Sequence, residues 1–412
     1  MEREILVYIE LAGETVPVGT LWARSRGARQ TASFEYDRSW LARRGAFGID
    51  PVLPPASGPF HTDRPLFNAF TDPAPDRWGQ MLLRRNERRR AQAEGRQPRT
   101  LQAIDVLVLV DDETRLGALR FKDSDGGPFL TSTGRQVPPV VDLPRLLAAT
   151  TRVIDDRETA EDLLLILAPG TSLGGARPKA TVRDTDGRLS IAKFPRSDDE
   201  WPVTRWEAAT MSLARSAGVE VAPFQLRAAA NRAVLTACRF DRRHGLRVPF
   251  MSALTALEAS DNDARSYLEV VEFLRREGAA VNEDLRQLWR RIVFNMLVSN
   301  TDDHLRNHGF LRAPQGWRLS PAYDLNPVPV DVKPRIHALA IDEIDGTASL
   351  DTAMAIAPMF GISEGDARAI AAQVGSAVAG WRGAATRFGM TPDQIDRMSS
   401  AFEHEDLRAA SR

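Results

Sequence analysis

Apolar and polar residues alternate in short runs near the start of the chain. Two of these runs, at residues 5–9 and 16–21, are joined through Gly13-Glu14, and this arrangement predicts a β-hairpin. A third alternating run at residues 33–36 predicts another strand whose two faces differ in polarity. We therefore expect a small antiparallel sheet within residues 1–50.

The pattern then changes to a mixture of helices and strands, and finally to helices. The mixed stretch predicts a helix at 161–167, a Gly-rich loop at 168–176, strands at 179–183 and 189–194, a helix at 206–217, and strands at 219–226 and 233–240. Beyond residue 264 the spacing is mostly helical, apart from a hairpin within 310–319. We expect an α+β protein in three parts: a β-rich part with helices at 1–140, an ATP-binding part at 141–245 and a helical part at 246–412.

The composition is ordinary for a globular protein, with 412 residues, 43% hydrophobic and 26% charged. A net charge of −1 provides no overall field that would draw the chain to nucleic acid or to an anionic membrane. Cys238 is the only cysteine, which excludes an intrachain disulfide framework. We find no signal-peptide pattern and no apolar run long enough to span a bilayer, so we expect a cytoplasmic protein without membrane association.

Arginine carries almost all of the basic charge. Lysine occurs only at positions 122, 179, 193 and 333. Arginine replaces lysine poorly where a compact charge must fit a narrow space, so each lysine is a candidate functional residue. The arginine run within residues 84–90 fits a solvated helix face better than a surface for DNA or a partner.

The clearest chemical pattern is formed by Asp302, Asn307 and Asp324. An Asp followed by four residues and an Asn is the spacing with which a protein-kinase catalytic loop holds a base and a Mg²⁺ ligand. Asp302 would orient the attacking hydroxyl, while Asn307 and Asp324 would bind metal at the ATP phosphates. The simpler alternative is an Asn- and Asp-rich turn before a hairpin, because these residues favour turns.

Two weaker signals precede this loop. Residues 170–179 are rich in glycine, and small residues let backbone N–H groups approach phosphate oxygens, although the segment is neither a Walker loop nor a Rossmann fingerprint. Lys193 lies in an apolar strand, as the phosphate-binding lysine of kinases does, and Glu207 on the next helix is its expected partner. The alternatives are an ordinary Gly-rich turn and an edge-strand lysine that faces solvent.

The strand at 233–240 runs into a polar segment where a kinase hinge would lie. Backbone groups from Cys238 to Phe240 would hydrogen-bond adenine, and Phe240 would pack on its ring, although a core position is the more frequent fate of a phenylalanine. The order of the signals is the main argument: Gly-rich loop, strand lysine, helix glutamate, hinge, Asp-x-x-x-x-Asn and a metal-binding aspartate.

These residues resemble the HipA-like serine/threonine kinases, the toxins of bacterial HipA–HipB toxin–antitoxin modules. The resemblance covers nearly the whole chain and rests on six blocks: residues 76–79, 116–121, 172–179, 239–242, 300–307 and 323–325. It implies a bilobal protein-kinase-like fold. The N-terminal lobe would contain small antiparallel sheets plus helices, and the C-terminal lobe would be mainly α-helical.

The resemblance also implies residue roles. Asp302 resembles the catalytic aspartate, Asn307 and Asp324 resemble the Mg²⁺ ligands, and Lys193 resembles the ATP-phosphate lysine. Other ATP-binding residues are expected at Ser172, Gly174, Gly175, Glu207, Cys238, Phe240 and His304. His304 is expected to brace the catalytic loop rather than to bind zinc with His308, because a third ligand is missing.

A serine of the Gly-rich loop is autophosphorylated in this family, which silences the kinase. Ser172 occupies that place, and Thr171 beside it is the second candidate. Two positions depart from the family pattern. Cys238 stands where a glutamate is expected, which puts a side-chain contact to ATP in doubt, and Asp303 stands where glycine is frequent and adds an acid beside the base.

The resulting hypothesis is an ATP- and Mg²⁺-dependent protein serine/threonine kinase that acts as a toxin. The resemblance implies a HipB-like helix-turn-helix antitoxin as partner, contact with DNA only through that antitoxin, and a substrate such as an aminoacyl-tRNA synthetase. Two alternatives remain open. One is a small-molecule phosphotransferase, and the other is an inactive kinase-fold co-repressor that works through its DNA-binding partner.

Overall fold

The computed structural model describes residues 2–27, 29–131, 136–167, 175–261 and 263–411. Within these ranges the strands are β1 (Glu2–Leu11), β2 (Glu14–Arg26), β3 (Arg29–Tyr36), β4 (Phe60–Thr62), β5 (Leu119–Lys122), β6 (Lys179–Arg183), β7 (Leu189–Lys193), β8 (Phe224–Ala229), β9 (Arg232–Cys238), β10 (Arg242–Arg243), β11 (Leu246–Arg247), β12 (Phe250–Ser252), β13 (Gly309–Ala313) and β14 (Gly316–Leu319).

The α-helices in the same ranges are α1 (Arg38–Ala42), α2 (Asn68–Thr71), α3 (Arg77–Ala93), α4 (Ala103–Val108), α5 (Leu143–Ile154), α6 (Ala160–Leu167), α7 (Val203–Ser216), α8 (Ala253–Ala256), α9 (Tyr267–Glu277), α10 (Val281–Leu297), α11 (Leu350–Ile356), α12 (Glu364–Ala379), α13 (Trp381–Arg387), α14 (Pro392–Arg397) and α15 (Glu405–Ala410). The chain divides into two compact units, Met1–Arg196 with Asp241–Met251, and Ser197–Phe240 with Ser252–Arg412. The division at residues 140 and 245 expected from the sequence stays a prediction.

The first unit contains a five-stranded sheet in the order β4-β3-β2-β1-β5, in which neighbouring strands are antiparallel. The predicted hairpin at its centre is present as β1 and β2. Ala12 and Gly13 form the turn with φ of 51° and 89°, and two positive φ values are what a tight two-residue hairpin turn requires. The alternating pattern therefore predicts the three central strands correctly, while the two edge strands, β4 and β5, come from outside residues 1–50.

One face of the sheet forms an apolar core. Ile5, Val7 and Ile9 alternate along β1 and are at most 1% exposed, and they share this core with Phe34 and Trp40. Burying each such side chain is worth about 1.5–3 kcal/mol. A one-residue slip of β1 would turn these side chains to the opposite face, so burial also fixes the strand register.

Two of the sequence blocks meet in the first unit. The Asp241 carboxylate accepts hydrogen bonds from the backbone N–H of Gly117 at 2.8 Å and from the Arg242 guanidinium at 2.7 Å. The same guanidinium donates to the carbonyls of Gly117 and Arg115. Gly117 has φ of 72°, a left-handed conformation that favours glycine, and β5 begins two residues later at Leu119.

A third block caps α3 and is tied to β6. The two carboxylate oxygens of Asp76 accept from the backbone N–H of Gly79 at 2.9 Å and from the Lys179 ammonium at 2.6 Å. Trp78 donates from its indole N–H to the Lys179 carbonyl at 3.1 Å. Asp76 and Lys179 are both buried, so their charges are neutralised within the unit. Lys193 stands opposite Lys179 in the β6–β7 register.

The second unit is mainly helical. Its β8–β9 hairpin turns at Ala230 and Asn231, both at positive φ, and α10 supplies fully buried side chains such as Trp289 and Phe294. Helix α7 begins at Val203, which is earlier than the sequence predicts. The predicted helices around α9 and α10 and the hairpin of β13 and β14 are present.

Aromatic side chains join the ends of the second unit's sequence. The Trp381 and Phe402 rings stack with centroids 4.7 Å apart, and Trp206 of α7 lies 5.9 Å from Phe402. Trp206 and Trp381 are therefore core aromatics. Across the described ranges, no helix combines the length and the apolar character that crossing a membrane requires.

Candidate active site

The predicted catalytic loop follows directly after α10. The last turn of this helix is closed by the backbone N–H of Asn300, which donates to the Asn295 carbonyl at 2.8 Å. Ser299 adopts φ of 52°, a left-handed conformation that turns the chain out of the helix. A short 3₁₀ helix at Leu305–Asn307 completes the loop before β13. Because residues 291–297 at the end of α10 are all buried, the loop follows directly from a rigid part of the core.

Asp302 and Asp303 lie in different environments. The Asp302 side chain is 74% exposed, whereas that of Asp303 is 4% exposed. Asp303 Oδ2 accepts hydrogen bonds from the Tyr267 hydroxyl, from Asn295 Nδ2 at 2.8 Å and from His308 Nε2 at 2.9 Å. Asp303 is thus engaged inside the protein, and Asp302 is the acid that an acceptor hydroxyl can reach.

The charge of Asp303 is stabilised by its neighbours. Burial by itself would raise the pKa of the Asp303 carboxyl, but the charge of His308 and hydrogen bonds from His308 and Tyr267 outweigh it and hold that pKa at about 2. Burial, followed by the charge of Asp303, raises the pKa of the Tyr267 hydroxyl well above its usual 10. At neutral pH the carboxyl is therefore ionised and the phenol protonated, which is the state in which this hydrogen bond forms.

The Asn307 side chain is held by the backbone of Asp302. Its Nδ2 donates to the backbone carbonyl of Asp302 at 3.1 Å. Its Oδ1 is buried and receives no hydrogen bond from the described residues. A buried acceptor without a donor is costly unless something else satisfies it. An amide oxygen with this orientation fits a hard divalent cation, since Mg²⁺ prefers oxygen ligands.

Asp324 adopts φ of 60°, a left-handed conformation that aspartate tolerates better than most residues. Its neighbour Tyr323 donates from its hydroxyl to the Arg306 carbonyl at 2.7 Å. Further along, the N–H of Val328 donates to the Ser299 carbonyl at 3.1 Å. The segment that carries Asp324 is thus attached to both ends of the loop that carries Asp302 and Asn307. The three predicted residues therefore lie on segments of the second unit that are hydrogen-bonded to each other.

The oxygen donors suit magnesium as kinases bind it, through one or two side chains together with substrate phosphates. Asn307 and Asp324 are the residues that would hold the ion. Among the described residues, no group of three or more His, Cys, Asp or Glu side chains is arranged to hold a metal by itself. Bound Mg²⁺ would neutralise charge on the phosphates.

The predicted hinge is joined to the same segment. The Phe240 and Tyr323 rings lie 5.5 Å apart at 30°, so Phe240 packs beside the residue that precedes Asp324. The backbone N–H of Cys238 donates to the Pro223 carbonyl at 2.8 Å, which is a contact made at the end of β9. This N–H is already used within the protein, so the predicted adenine contact would have to come from the other backbone groups of the segment from 238 to 240.

His304 precedes the 3₁₀ helix, and its carbonyl accepts from the backbone N–H of Asn307 at 2.8 Å. Its Nδ1 is buried and has no hydrogen-bond partner among the described residues. The contact that the structure gives His304 in the loop is therefore made by its backbone. His308 is the histidine whose ring braces the loop, through Asp303.

The remaining predicted residues are distributed over both units. Lys193 ends β7 and is half-buried in the first unit, and Glu207 is buried on α7 in the second. Their predicted pairing stays a prediction. Gly175 has φ of 103°, which favours glycine. Thr171, Ser172 and Gly174 lie outside the described residues.

Sequence reasoning missed Tyr267 and Asn295, and it named Lys333 only as one of four candidate lysines, without a role. Tyr267 is far from the loop in sequence, and Asn295 lies near the end of α10, just before the loop. Both donate hydrogen bonds to Asp303, and nothing in the sequence pattern marks either residue as functional. Lys333 Nζ lies 3.6 Å from Asp302 Oδ1. The scarcity of lysine in this arginine-rich chain is the signal that made it a candidate, but the sequence does not show which residue it contacts.

Comparison with known families agrees with this arrangement. Residues 171–381 match the HipA-like C-terminal domain, and residues 10–122 match the HipA N-terminal domain. The chain belongs to the HipA-like family.

Two curated relatives extend this result. "Putative kinase Y4mE" of Sinorhizobium fredii is 27% identical over 325 residues, which cover 71% of this chain and 71% of that protein. The serine/threonine-protein kinase toxin HipA of Shewanella oneidensis is 28% identical over 210 residues, which cover 42% of this chain and 47% of that protein. This HipA-like chain is thus a homologue of HipA-family serine/threonine kinases, as the sequence predicts.

The fold is also found in a solved structure. HipA in the Shewanella oneidensis complex of HipA, HipB and operator DNA matches with a TM-score of 0.63 and 17% sequence identity, over 99% of this chain and 96% of that one. The prediction of an α+β kinase fold, with antiparallel sheets in the N-terminal region and helices in the C-terminal region, is confirmed for this HipA-like protein.

Proposed function

We propose that this protein is an ATP- and Mg²⁺-dependent serine/threonine protein kinase that acts as the toxin of a toxin–antitoxin module. The observation that carries the proposal is the geometry of residues 302–307. Asp302 presents an exposed carboxylate, while Asn307 is anchored on the Asp302 carbonyl with a buried oxygen left over for a cation. Positioning and charge neutralisation are the main requirements of phosphoryl transfer.

In this proposal Asp302 orients the hydroxyl of a serine or threonine and accepts its proton as the oxygen attacks the γ-phosphorus of ATP. The high exposure of Asp302 favours a protein acceptor, because small-molecule sites usually enclose most of their ligand. Asn307 and Asp324 hold Mg²⁺, Lys193 contacts the phosphates with Glu207 as its partner, and the hinge at 238–240 binds adenine.

The Gly-rich loop supplies the proposed regulation. Ser172, with Thr171 as the second candidate, is the proposed autophosphorylation site, beside Gly174 and Gly175, which approach the ATP phosphates. A phosphoserine adds a charge of about −1.5 to −2 to a loop that must accommodate phosphates. The modified loop would repel ATP, which accounts for an inactive state of the kinase.

The proposed partner is a HipB-like helix-turn-helix antitoxin. The solved HipA of Shewanella oneidensis lies in a complex with HipB and operator DNA. A net charge of −1 gives this chain little electrostatic attraction for the DNA phosphates, so we assign DNA binding to the antitoxin. The proposed substrate is a component of translation such as an aminoacyl-tRNA synthetase, and this assignment rests on the family resemblance.

The test is phosphoproteomics after expressing wild type, Asp302→Asn and Asp393→Asn without an antitoxin. Asp393 is an exposed aspartate at the start of α14 and provides the matched control. We expect one or a few hyperphosphorylated proteins with wild type and Asp393→Asn, and none with Asp302→Asn. Labelled phosphate that appears only in small molecules would favour the phosphotransferase alternative. Absence of ATP-dependent transfer by purified wild type would favour the co-repressor.

The autophosphorylation proposal has its own measurement. Purified wild type incubated with ATP and Mg²⁺ should gain phosphate in the peptide that contains residues 170–177, detected by intact-mass and peptide spectrometry. Asp302→Asn should gain none. The same phosphate on Asp302→Asn would contradict the assignment of Asp302 as the base.

A further inference from the structure

We propose that Lys333 is a positioning residue for phosphoryl transfer, which holds the Asp302 carboxylate and offsets the negative charge that collects around it. The inference rests on the function proposed above, because it assigns Lys333 to the same reaction. It adds a residue that lies outside the catalytic loop and outside the blocks by which the sequence resembles its family.

Two contacts place the Lys333 ammonium at the loop. Its Nζ lies 3.6 Å from Asp302 Oδ1 and donates to the Thr301 carbonyl at 3.2 Å. Among the described residues, Lys333 is the cation that pairs with Asp302. The Lys333 side chain is 41% exposed and that of Asp302 is 74% exposed, so both charged groups lie at the solvent-facing edge of the loop.

The backbone around Lys333 is folded back onto the loop. Its N–H donates to the Pro329 carbonyl at 3.1 Å, which closes a tight turn. Five residues later, the N–H of Ala338 donates to the Thr301 carbonyl at 3.2 Å, the same oxygen that accepts from Lys333 Nζ. Thr301 therefore fixes both the backbone and the side chain of this segment. The contact with Asp302 is part of a built arrangement.

The loop has an excess of negative charge and little positive charge of its own. Asp302, Asp303 and Asp324 lie on this part of the unit, and ATP would add its phosphates. Arg306, the cation within the loop, is directed to Asp261, with N–O distances of 2.5 and 3.3 Å. A phosphoryl group that approaches Asp302 meets a like charge, and a nearby cation reduces this repulsion.

The step itself balances without a proton from Lys333. The bond between the acceptor oxygen and the γ-phosphorus forms, the bond from that phosphorus to the bridging oxygen of ADP breaks, and the hydroxyl proton passes to Asp302. Lys333 remains an ammonium throughout. Its contribution is to keep the Asp302 carboxylate oriented and to lower the local negative potential as the phosphoryl group arrives.

The choice of lysine agrees with this role. Lys333 is one of four lysines in a chain with 54 basic residues, so arginine would be the usual cation here. Lys179 is in a buried ion pair with Asp76, and Lys122 lies over the rings of Tyr8 and Phe129. A compact, strongly hydrated charge on a flexible stem suits a site where a substrate hydroxyl and a phosphoryl group must also fit.

The test compares Lys333→Met, Lys333→Arg and the control Lys122→Met, with kcat, KM for ATP and Tm measured for each. We expect Lys333→Met to lower kcat by about 10- to 100-fold, less than loss of a fully enclosed donor because the side chain is partly exposed. KM for ATP should stay within about twofold and Tm within about 3 °C of wild type. Lys333→Arg should keep part of the activity, and Lys122→Met nearly all.

A rescue experiment distinguishes a role of the Lys333 charge in phosphoryl transfer from a role of Lys333 in stability alone. Addition of ethylammonium should restore part of kcat to Lys333→Ala, while tetramethylammonium at equal ionic strength should not, and neither should rescue Asp302→Ala. Wild-type kcat in Lys333→Met, or losses of activity that only follow losses of Tm without amine rescue, would overturn the assignment of Lys333. If wild type itself transfers no phosphate, the proposed function fails, which is a different outcome.

Discussion

The carboxylates of Asp302 and Asp303 are adjacent in sequence and have opposite surroundings, one 74% exposed beside Lys333 and the other 4% exposed beneath three donors. Successive residues of an extended loop can point to opposite sides, so two identical side chains acquire different tasks. The exposed carboxylate is available for chemistry, and the buried one fixes the shape of the loop that presents it.

The two aspartates should therefore respond differently to the same substitution. Asp302→Asn should abolish phosphoryl transfer and leave Tm nearly unchanged, because its side chain has one solvent-screened ion pair. Asp303→Asn should destabilise the protein by about 2–4 kcal/mol, since it removes the negative charge that strengthens these buried hydrogen bonds and introduces an NH2 group that needs an acceptor. Scanning fluorimetry and a kinase assay on both variants provide the measurement, and an unchanged Tm for Asp303→Asn would refute its proposed role.

Stability should fall between about pH 6.5 and pH 4 because of His337. This residue is buried, both of its ring nitrogens lack a hydrogen-bond partner among the described residues, and burial lowers its pKa from 6.5 to about 4 against the attraction of Asp303. The unfolded chain binds a proton near pH 6.5 and the folded chain does not until about pH 4. Acidification through this window therefore favours unfolding, by up to about 3 kcal/mol.

Urea unfolding at several pH values measures this effect. His337→Gln cannot bind a proton, so its stability should change less between pH 7 and pH 4.5 than that of wild type. His404, whose pKa burial also lowers to about 4, contributes in the same window and leaves a residual slope. A wild-type slope retained in full by His337→Gln would show that His337 titrates normally.

Tyr323→Phe tests the link between the Asp324 segment and the catalytic loop. The substitution removes the hydroxyl that donates to the Arg306 carbonyl but keeps a ring to pack on Phe240. Loss of one such hydrogen bond is worth about 1 kcal/mol, so we expect kcat to fall by about fivefold to tenfold. Steady-state kinetics check this, with Tyr323→Ala expected to raise KM for ATP as well because the ring contact is lost. Equal effects of Phe and Ala would indicate that the ring contributes nothing.

The buried pair of Asp76 and Lys179 should be structural. Asp76→Ala leaves the Lys179 ammonium buried without this partner and should cost about 3–5 kcal/mol of stability. The double variant Asp76→Ala/Lys179→Met should recover most of the loss, because it removes both charges together. Thermal unfolding of the two single variants and the double variant forms a complete cycle. Additive losses in the double variant would contradict a direct coupling between the two side chains.

Sequence reasoning succeeds where the pattern is local. The alternation at residues 5–9 and 16–21 predicts the hairpin of β1 and β2, and the spacing from Asp302 to Asn307 is kept by a short loop and a single 3₁₀ turn. Periodicity also locates α9 and α10, because each has one apolar face that must be buried.

The long-range contacts could not be predicted in the same way. Asp241 accepts a hydrogen bond from Gly117, and Lys333 lies beside Asp302. The residues of each pair are far apart in sequence, and the spacing of apolar residues carries no information about such pairs. The sequence assigns Asp302 as the base through its spacing to Asn307, but it could not show that Asp303 is buried, since that depends on contacts with Tyr267 and Asn295. Residues of two of the sequence blocks, 76–79 and 172–179, contact each other within one unit, so these blocks contribute to packing as well as to chemistry.

The left-handed backbone at Asp324 determines how an inactive version of this protein should be made. Alanine at this position would impose a backbone strain of about 1–2 kcal/mol in addition to removing the carboxylate. Loss of kinase activity in that variant could therefore result from a distorted backbone rather than from the missing carboxylate. Asparagine accepts the same conformation with little penalty. It is therefore the replacement from which lost activity can be attributed to the missing charge.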